Sequence, residues 1–146
     1  MKLSTRTRYG MRLMVKLALH YGEGPVFLKD IAKKEHISEK YLSQIVIILK
    51  GGGLINSFRG AHGGYVLSRP PAHIKLGEIV SLLEGSLCLV SCVNDTSACA
   101  RVSICATRML WKKIEERISQ ILNSETLEDL IRIHREKLKG VYTYNI

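Results

Sequence analysis

Three features of the sequence predict a mainly α fold with a small β-wing, a winged helix-turn-helix extended by a long C-terminal dimerisation helix. Apolar residues recur at helical spacing in successive segments up to residue 51. A glycine-rich hairpin pattern follows over 54–68. A long amphipathic segment then starts near 104, behind a polar stretch that holds Cys92, Cys99 and Cys105.

Residues 8–22 place Met11, Met14, Val15, Leu17, Ala18 and Leu19 at helical spacing, with Arg8, Arg12 and Lys16 on another face. Gly22 and Gly24-Pro25 end this helix. Leu28 to Glu35 reads as a second helix with Leu28, Ile31 and Ala32 inward, and His36-Ile37 as the turn. Ser38 is a good N-cap for a third helix over 39–51, whose core stripe is Leu42, Ile45, Val46 and Leu49. Gly51-Gly-Gly53 stops it. Leu54 to Phe58 and Tyr65 to Ser68 read as two strands around a loop with Gly60, Gly63 and Gly64.

Residues 75–85 form a fourth helix ending at Gly85. The 86–103 stretch has no period and reads as a loop, after which Ser103 can cap a helix of about twenty residues. In that helix Trp111, Ile114, Ile118 and Ile121 follow one another by three and four residues, an apolar stripe suited to a partner helix. Folding back over the chain's own core is the alternative. Thr126-Leu-Glu-Asp129 resembles a capping box for a last helix to Lys139. The expected organisation is a DNA-reading domain at 1–85, a cysteine loop at 86–104, dimerisation helices at 105–140 and a flexible tail at 141–146.

Net charge is +9 over 146 residues. Residues 1–60 hold eleven Lys/Arg against four acids, so most of the excess lies where the helix-turn-helix and wing lie. A polyanion-binding face requires that asymmetry, whereas a merely solubilising surface does not. Charges break every apolar run short of a membrane span, and the start lacks a continuous apolar run. The expected location is the cytoplasm, where thiols stay reduced and cysteines serve as metal ligands or redox groups before they serve as disulfides.

A recognition helix presents hydrogen-bonding side chains at its N-terminal turns, because that end enters the major groove. Ser38, Lys40, Tyr41, Ser43 and Gln44 fit, and Gln44 can bond adenine through two hydrogen bonds. Tyr41 fits a half-buried core position equally well. In the wing, Gly60 and Gly63 let the backbone approach the duplex, His62 stands between them, and Arg59 can enter a narrow minor groove. Lys2, Arg6 and Arg8 at the start of the first helix read as phosphate contacts.

Cys88 and Cys92 are separated by three residues, Cys92 and Cys99 by six, and Cys99 and Cys105 by five. No two-residue gap exists, so neither a zinc ribbon nor a thioredoxin-type pair fits. Three thiolates on one loop can converge on a metal or an iron–sulfur cluster. Cys88, between Leu87 and Leu89, reads as a packed thiol. The other three stand among Asn94, Asp95, Thr96 and Ser97, a setting unlike a buried structural cysteine.

With its opening Met1-Lys-Leu-Ser-Thr-Arg-Thr-Arg-Tyr9, the helix Ile37-Ser-Glu-Lys-Tyr-Leu-Ser-Gln44, the wing Arg59-Gly-Ala-His-Gly-Gly-Tyr65 and three cysteines before a long helix, the sequence resembles the IscR-type family of bacterial winged-helix regulators over 1–140. The resemblance implies a homodimer reading two half-sites on double-stranded DNA, a [2Fe-2S] or, in related branches, [4Fe-4S] cluster on Cys92, Cys99 and Cys105, and control of cluster-biogenesis genes. Cysteine-metabolism repressors with a similar DNA-binding half lack these cysteines. Two places depart from the pattern. Cluster-binding relatives can supply a histidine where Arg108 stands, and others a carboxylate where Arg8 stands. The fourth ligand is open among Cys88, Glu84, Asp95, a histidine from elsewhere and an exogenous thiol. Some relatives carry an acid before the glutamine of the recognition helix, where Ser43 stands here.

A cluster-free regulator sensing thiol oxidation or zinc is the alternative function. A small electron-transfer protein would have no use for the basic winged half. No paired carboxylates, nucleophile elbow or phosphate loop supports an enzyme, and no membrane association is expected.

Overall fold

The computed structural model describes residues 2–144, with side chains placed as far as Gly140. Its elements are α1 (Thr5–Leu19), α2 (Leu28–Glu35), α3 (Glu39–Gly51), β1 (Ile55–Phe58), β2 (Gly64–Leu67), α4 (Leu76–Glu84), α5 (Ser91–Asn94), α6 (Ala106–Ser124) and α7 (Leu127–Tyr144). The mainly helical fold with a two-stranded wing is as the sequence predicts.

α1 begins three residues earlier than its apolar pattern, because the Ser4 hydroxyl accepts from the Thr7 N–H at 3.1 Å. It ends at Leu19, before the first glycine of the turn. α2 and α3 occupy their expected spans. Between them His36 takes the left-handed conformation (φ 55°), and the Ile37 N–H donates to the Ala32 carbonyl at 3.0 Å. That reversal sets α3 across α1, with Leu42, Ile45, Val46 and Leu49 buried. Gly10 lets the two neighbours close on α1, since a Cβ there would overlap the Leu83 side chain and press Ile45.

β1 pairs antiparallel with β2, Ile55 opposite Leu67 and Phe58 opposite Gly64. Val26 joins the wing from outside the hairpin, exchanging backbone hydrogen bonds with Tyr65 at 3.0 and 2.9 Å. Gly64 faces the Val26 carbonyl at φ 136°, where a Cβ would not fit.

The core runs through α1, α3 and α4, with Leu13, Leu17, Ile79 and Leu83 buried, and is closed from the C-terminal side by Leu127 and Ile131 of α7. The Thr126–Asp129 box forms: the Asp129 carboxylate accepts from the Thr126 N–H at 2.8 Å, and the Thr126 hydroxyl from the Asp129 N–H at 3.3 Å. Ser103 does not cap the long helix. Cys105 holds that place, and α6 starts at Ala106. α7 continues beyond Lys139 to Tyr144. Of the tail expected at 141–146, residues 145–146 lie outside the described residues, as do the side chains of 141–144.

α6 has no buried residue. Met109, Leu110 and Ile121 are 62%, 51% and 62% exposed, a large apolar exposure for one helix. Ile118 and Leu122 instead border a cavity of about 480 Å³ with Val80, Leu87 and Cys88, so part of the stripe turns to the chain's own α4. Among the described residues no helix is long and apolar enough to cross a membrane.

Candidate functional site

At the start of α3 the expected reading residues divide by what already holds them. Ser38 is exposed, but its hydroxyl accepts from the Tyr41 N–H at 3.3 Å and so caps the helix. The Ser43 hydroxyl donates to the Glu39 carbonyl at 2.9 Å. Tyr41 is half-buried against the Tyr9 ring in an edge-to-face pair with centroids 5.9 Å apart. Lys40 and Gln44 are exposed on the same turns, adjacent to Ser43.

In the wing, Arg59, Gly60 and His62 are exposed and Gly63 is buried beneath them. A Cβ on Gly63 would strike the Phe58 and Gly60 carbonyls, so glycine is what allows the tip to fold this tightly. Lys50 at the end of α3 bonds Ser57 of β1 at 2.6 Å, tying recognition helix to wing.

Lys2 and Arg8 are exposed, and Arg8 donates to the Thr5 hydroxyl at 3.1 Å. Arg6 is exposed but its Nε donates to the Leu83 carbonyl at 2.7 Å, at the end of α4. The Glu84 carboxylate accepts from the Ser4 N–H, the Ser4 hydroxyl at 2.7 Å and the Thr7 hydroxyl. These hydroxyls, Thr7 first, hold Glu84 below the usual carboxylate range. Glu84 is thus engaged at the start of α1, with its oxygens committed. Sequence reasoning missed this joint because its partners stand about eighty positions apart and carry no local signal.

The cysteine stretch is not featureless. Cys92 sits on the single turn α5, a 3-10 turn covers Thr96–Ala98, and Asp95 accepts from the Ser97 N–H at 2.9 Å and the Ser97 hydroxyl at 2.6 Å. Arg108 Nε donates to the Cys92 carbonyl at 2.8 Å, and its Nη2 reaches the Val93 carbonyl at 3.4 Å. Asn94 donates to Glu115 at 3.0 Å. Cys105 lies at the head of α6, where the Thr107 hydroxyl first and then the Arg108 N–H favour its thiolate and hold its thiol below the ordinary value.

All four cysteines are free: Cys99 is exposed, Cys88, Cys92 and Cys105 partly covered. Cys88, partly covered, donates to the Val90 carbonyl at 2.9 Å beside the cavity of Leu87 and Leu89. Soft thiol donors suit iron–sulfur chemistry, so the donor set of Cys92, Cys99 and Cys105 fits the implied cluster. Among the described residues no three His, Cys, Asp or Glu side chains already converge at metal-binding distance.

On the stripe expected to face a partner helix, Trp111 and Ile121 are exposed and Ile114 and Ile118 half-buried.

The Rrf2 family model, described as an iron-dependent transcriptional regulator, matches residues 3–133. The chain is 44% identical over 130 residues to the HTH-type transcriptional regulator CymR of Bacillus subtilis, covering 89% of each. It is 37% identical over 132 residues to the regulator IscR of Xenorhabdus nematophila, covering 90% of this chain and 80% of that one. Two solved structures superpose closely. CymR, the global cysteine regulator of B. subtilis, has a TM-score of 0.79 at 41% identity, covering 91% of this chain and 98% of that one. T. potens IscR has a TM-score of 0.77 at 40% identity, covering 94% and 90%. These relatives are named as transcriptional regulators, not as enzymes.

Proposed function

The chain belongs to the Rrf2 family of transcriptional regulators, and from that premise we propose that it is a homodimer that senses iron–sulfur cluster status and controls genes of cluster biogenesis. Cys92, Cys99 and Cys105, three of the four free thiols in the stretch between α4 and α6, on a chain nearly as similar to IscR as to CymR by overall fold, carry the reading. Cys92, Cys99 and Cys105 would hold the cluster, which supplies a redox- and iron-responsive charge at the head of α6.

The chain's own residues do the DNA work. The N-terminal turns of α3 enter the major groove, where Gln44 and Lys40 read base edges while Ser38, spent on the cap, sets the helix start. Ser43, turned back to its own helix, reads weakly. Arg59, carried on the Gly60–Gly63 tip with His62, enters the minor groove. Lys2 and Arg8 contact phosphates, and Arg6 shares that task with its hold on α4. In the dimer, two α3 helices meet successive major grooves about 34 Å apart. The exposed apolar residues of α6 give a second copy its contact surface.

A second reading has its own support. CymR is 44% identical to this chain, and the Cys105 thiol is held toward thiolate, which suits direct sensing of oxidants. Operator binding by anaerobically loaded, cluster-free and oxidised protein separates the two. Cluster sensing predicts that loading changes operator affinity reversibly. An affinity that ignores loading and changes only on thiol oxidation would replace it with the second reading.

A further inference from the structure

α5 is a single helical turn, so most of its carbonyls have no partner within it. Arg108 takes two of them, at Cys92 and Val93, with the planar donor set of one guanidinium. One turn before Arg108 stands Cys105, where α6 begins. Glu115, two turns after Arg108 on the same face, accepts from Asn94, the last residue of α5. The short helix is therefore fastened along α6 at two points. Cys99 lies beyond both, exposed.

We propose that Arg108 is a positioning residue for a metal centre on this loop: it holds the Cys92 backbone against the helix that Cys105 heads, so that these two thiol-bearing segments stay side by side, and exposed Cys99 closes on the centre last. The proposal rests on the reading that this loop holds a metal centre. A guanidinium stays protonated and cannot itself ligate, so Arg108 serves the site from behind, through the backbone it holds. The latch acts through backbone carbonyls, and it fixes the Cys92 peptide rather than its sulfur. It thus lowers the cost of gathering two thiolates without occupying either. Residues behind a ligand set commonly change metal affinity 10- to 100-fold, roughly what such preorganisation contributes.

Anaerobic titration of the full-length, cluster-free protein with cobalt(II) tests this, read through the thiolate-to-cobalt absorption. Arg108→Ala is expected to weaken cobalt binding about 10- to 100-fold. Arg108→Lys, which keeps the charge and one donor, recovers part of the loss. A double-mutant cycle separates positioning from general damage. Arg108→Ala should add little in a Cys92→Ser background and keep its full effect in a Cys99→Ser background. Arg108→Gln carries the same cycle if the alanine variant loses helical signal. An unchanged affinity, or equal losses in both backgrounds, overturns the proposal while leaving the metal-centre reading standing. A wild-type protein that binds neither cobalt nor iron overturns both.

Discussion

Arg59 has no hydrogen bond or ion pair among the described residues, and the glycines beside it keep the wing tip narrow. Its replacement by alanine should weaken specific operator binding by about 1–3 kcal/mol, while binding to random duplex falls less. Paired isotherms check it, and equal losses on both duplexes would make Arg59 a plain phosphate contact. Glu35 carries a different prediction. Burial pushes its carboxyl up, but the Lys16 ammonium at 3.0 Å and the Arg12 guanidinium at 2.7 Å overcome that and hold it below its ordinary value. A depressed folded-state value means the proton binds the unfolded chain better. The stabilisation is therefore present at neutral pH and lost as the pH falls through the carboxylate range. Glu35→Gln should cost about 1 kcal/mol at pH 7, as a modest ion-pair network does, and should flatten the acid limb of a denaturation-against-pH curve. At Cys105 the Thr107 hydroxyl is the leading cause of the lowered thiol value. Alkylation followed by mass spectrometry on cluster-free protein at neutral pH should show Thr107→Val slowing the modification of Cys105 and leaving Cys88 unchanged.

α6 is where one element serves two surfaces. Ile118 and Leu122 border α4, whereas Met109, Leu110 and Ile121 are open to solvent. Charge substitution at Ile114 and Ile118 would therefore damage the chain's own packing as well as any interface. Leu110→Asp with Ile121→Asp is the cleaner perturbation. Sedimentation should show a monomer whose melting transition stays near the wild type, and operator affinity should collapse with the loss of the second reading helix. A stable dimer would show that α6 does not form the interface. The elements themselves were largely legible. Leu42, Ile45, Val46 and Leu49 repeat at helical spacing because that face is buried, and Gly51-Gly-Gly53 ends the pattern by its composition. The capping box at Thr126 was legible because its partners are three residues apart. What escaped was non-local or local to polar side chains. Ser4 starts α1 early within a polar run, and Cys105 rather than Ser103 heads α6. α5 has no apolar period to announce it, since Arg108 and Asn94 hold it by hydrogen bonds rather than burial. The thiol spacing named the candidate ligands, but nothing in it revealed the latch.

Across the whole molecule, the cysteine stretch leaves α4 at the point where α4 is locked to α1. Arg6 holds the Leu83 carbonyl, and Glu84 holds the Ser4 and Thr7 hydroxyls at the first turn of the helix against which α3 packs. A change in the loop could thus be passed to α3 through these α4–α1 hydrogen bonds and then through the apolar packing of α1 against α3. Glu84→Ala should shrink the difference in operator affinity between loaded and cluster-free protein more than it changes either affinity's dependence on salt. Mobility shifts at several salt concentrations would check this. Whether Cys92, Cys99 and Cys105 hold an iron–sulfur cluster is read from the iron and acid-labile sulfide content of anaerobically purified protein. A coloured protein with both elements bound is expected, and their loss in Cys99→Ala. A colourless wild type without iron or sulfide, or full occupancy in Cys99→Ala, would contradict it.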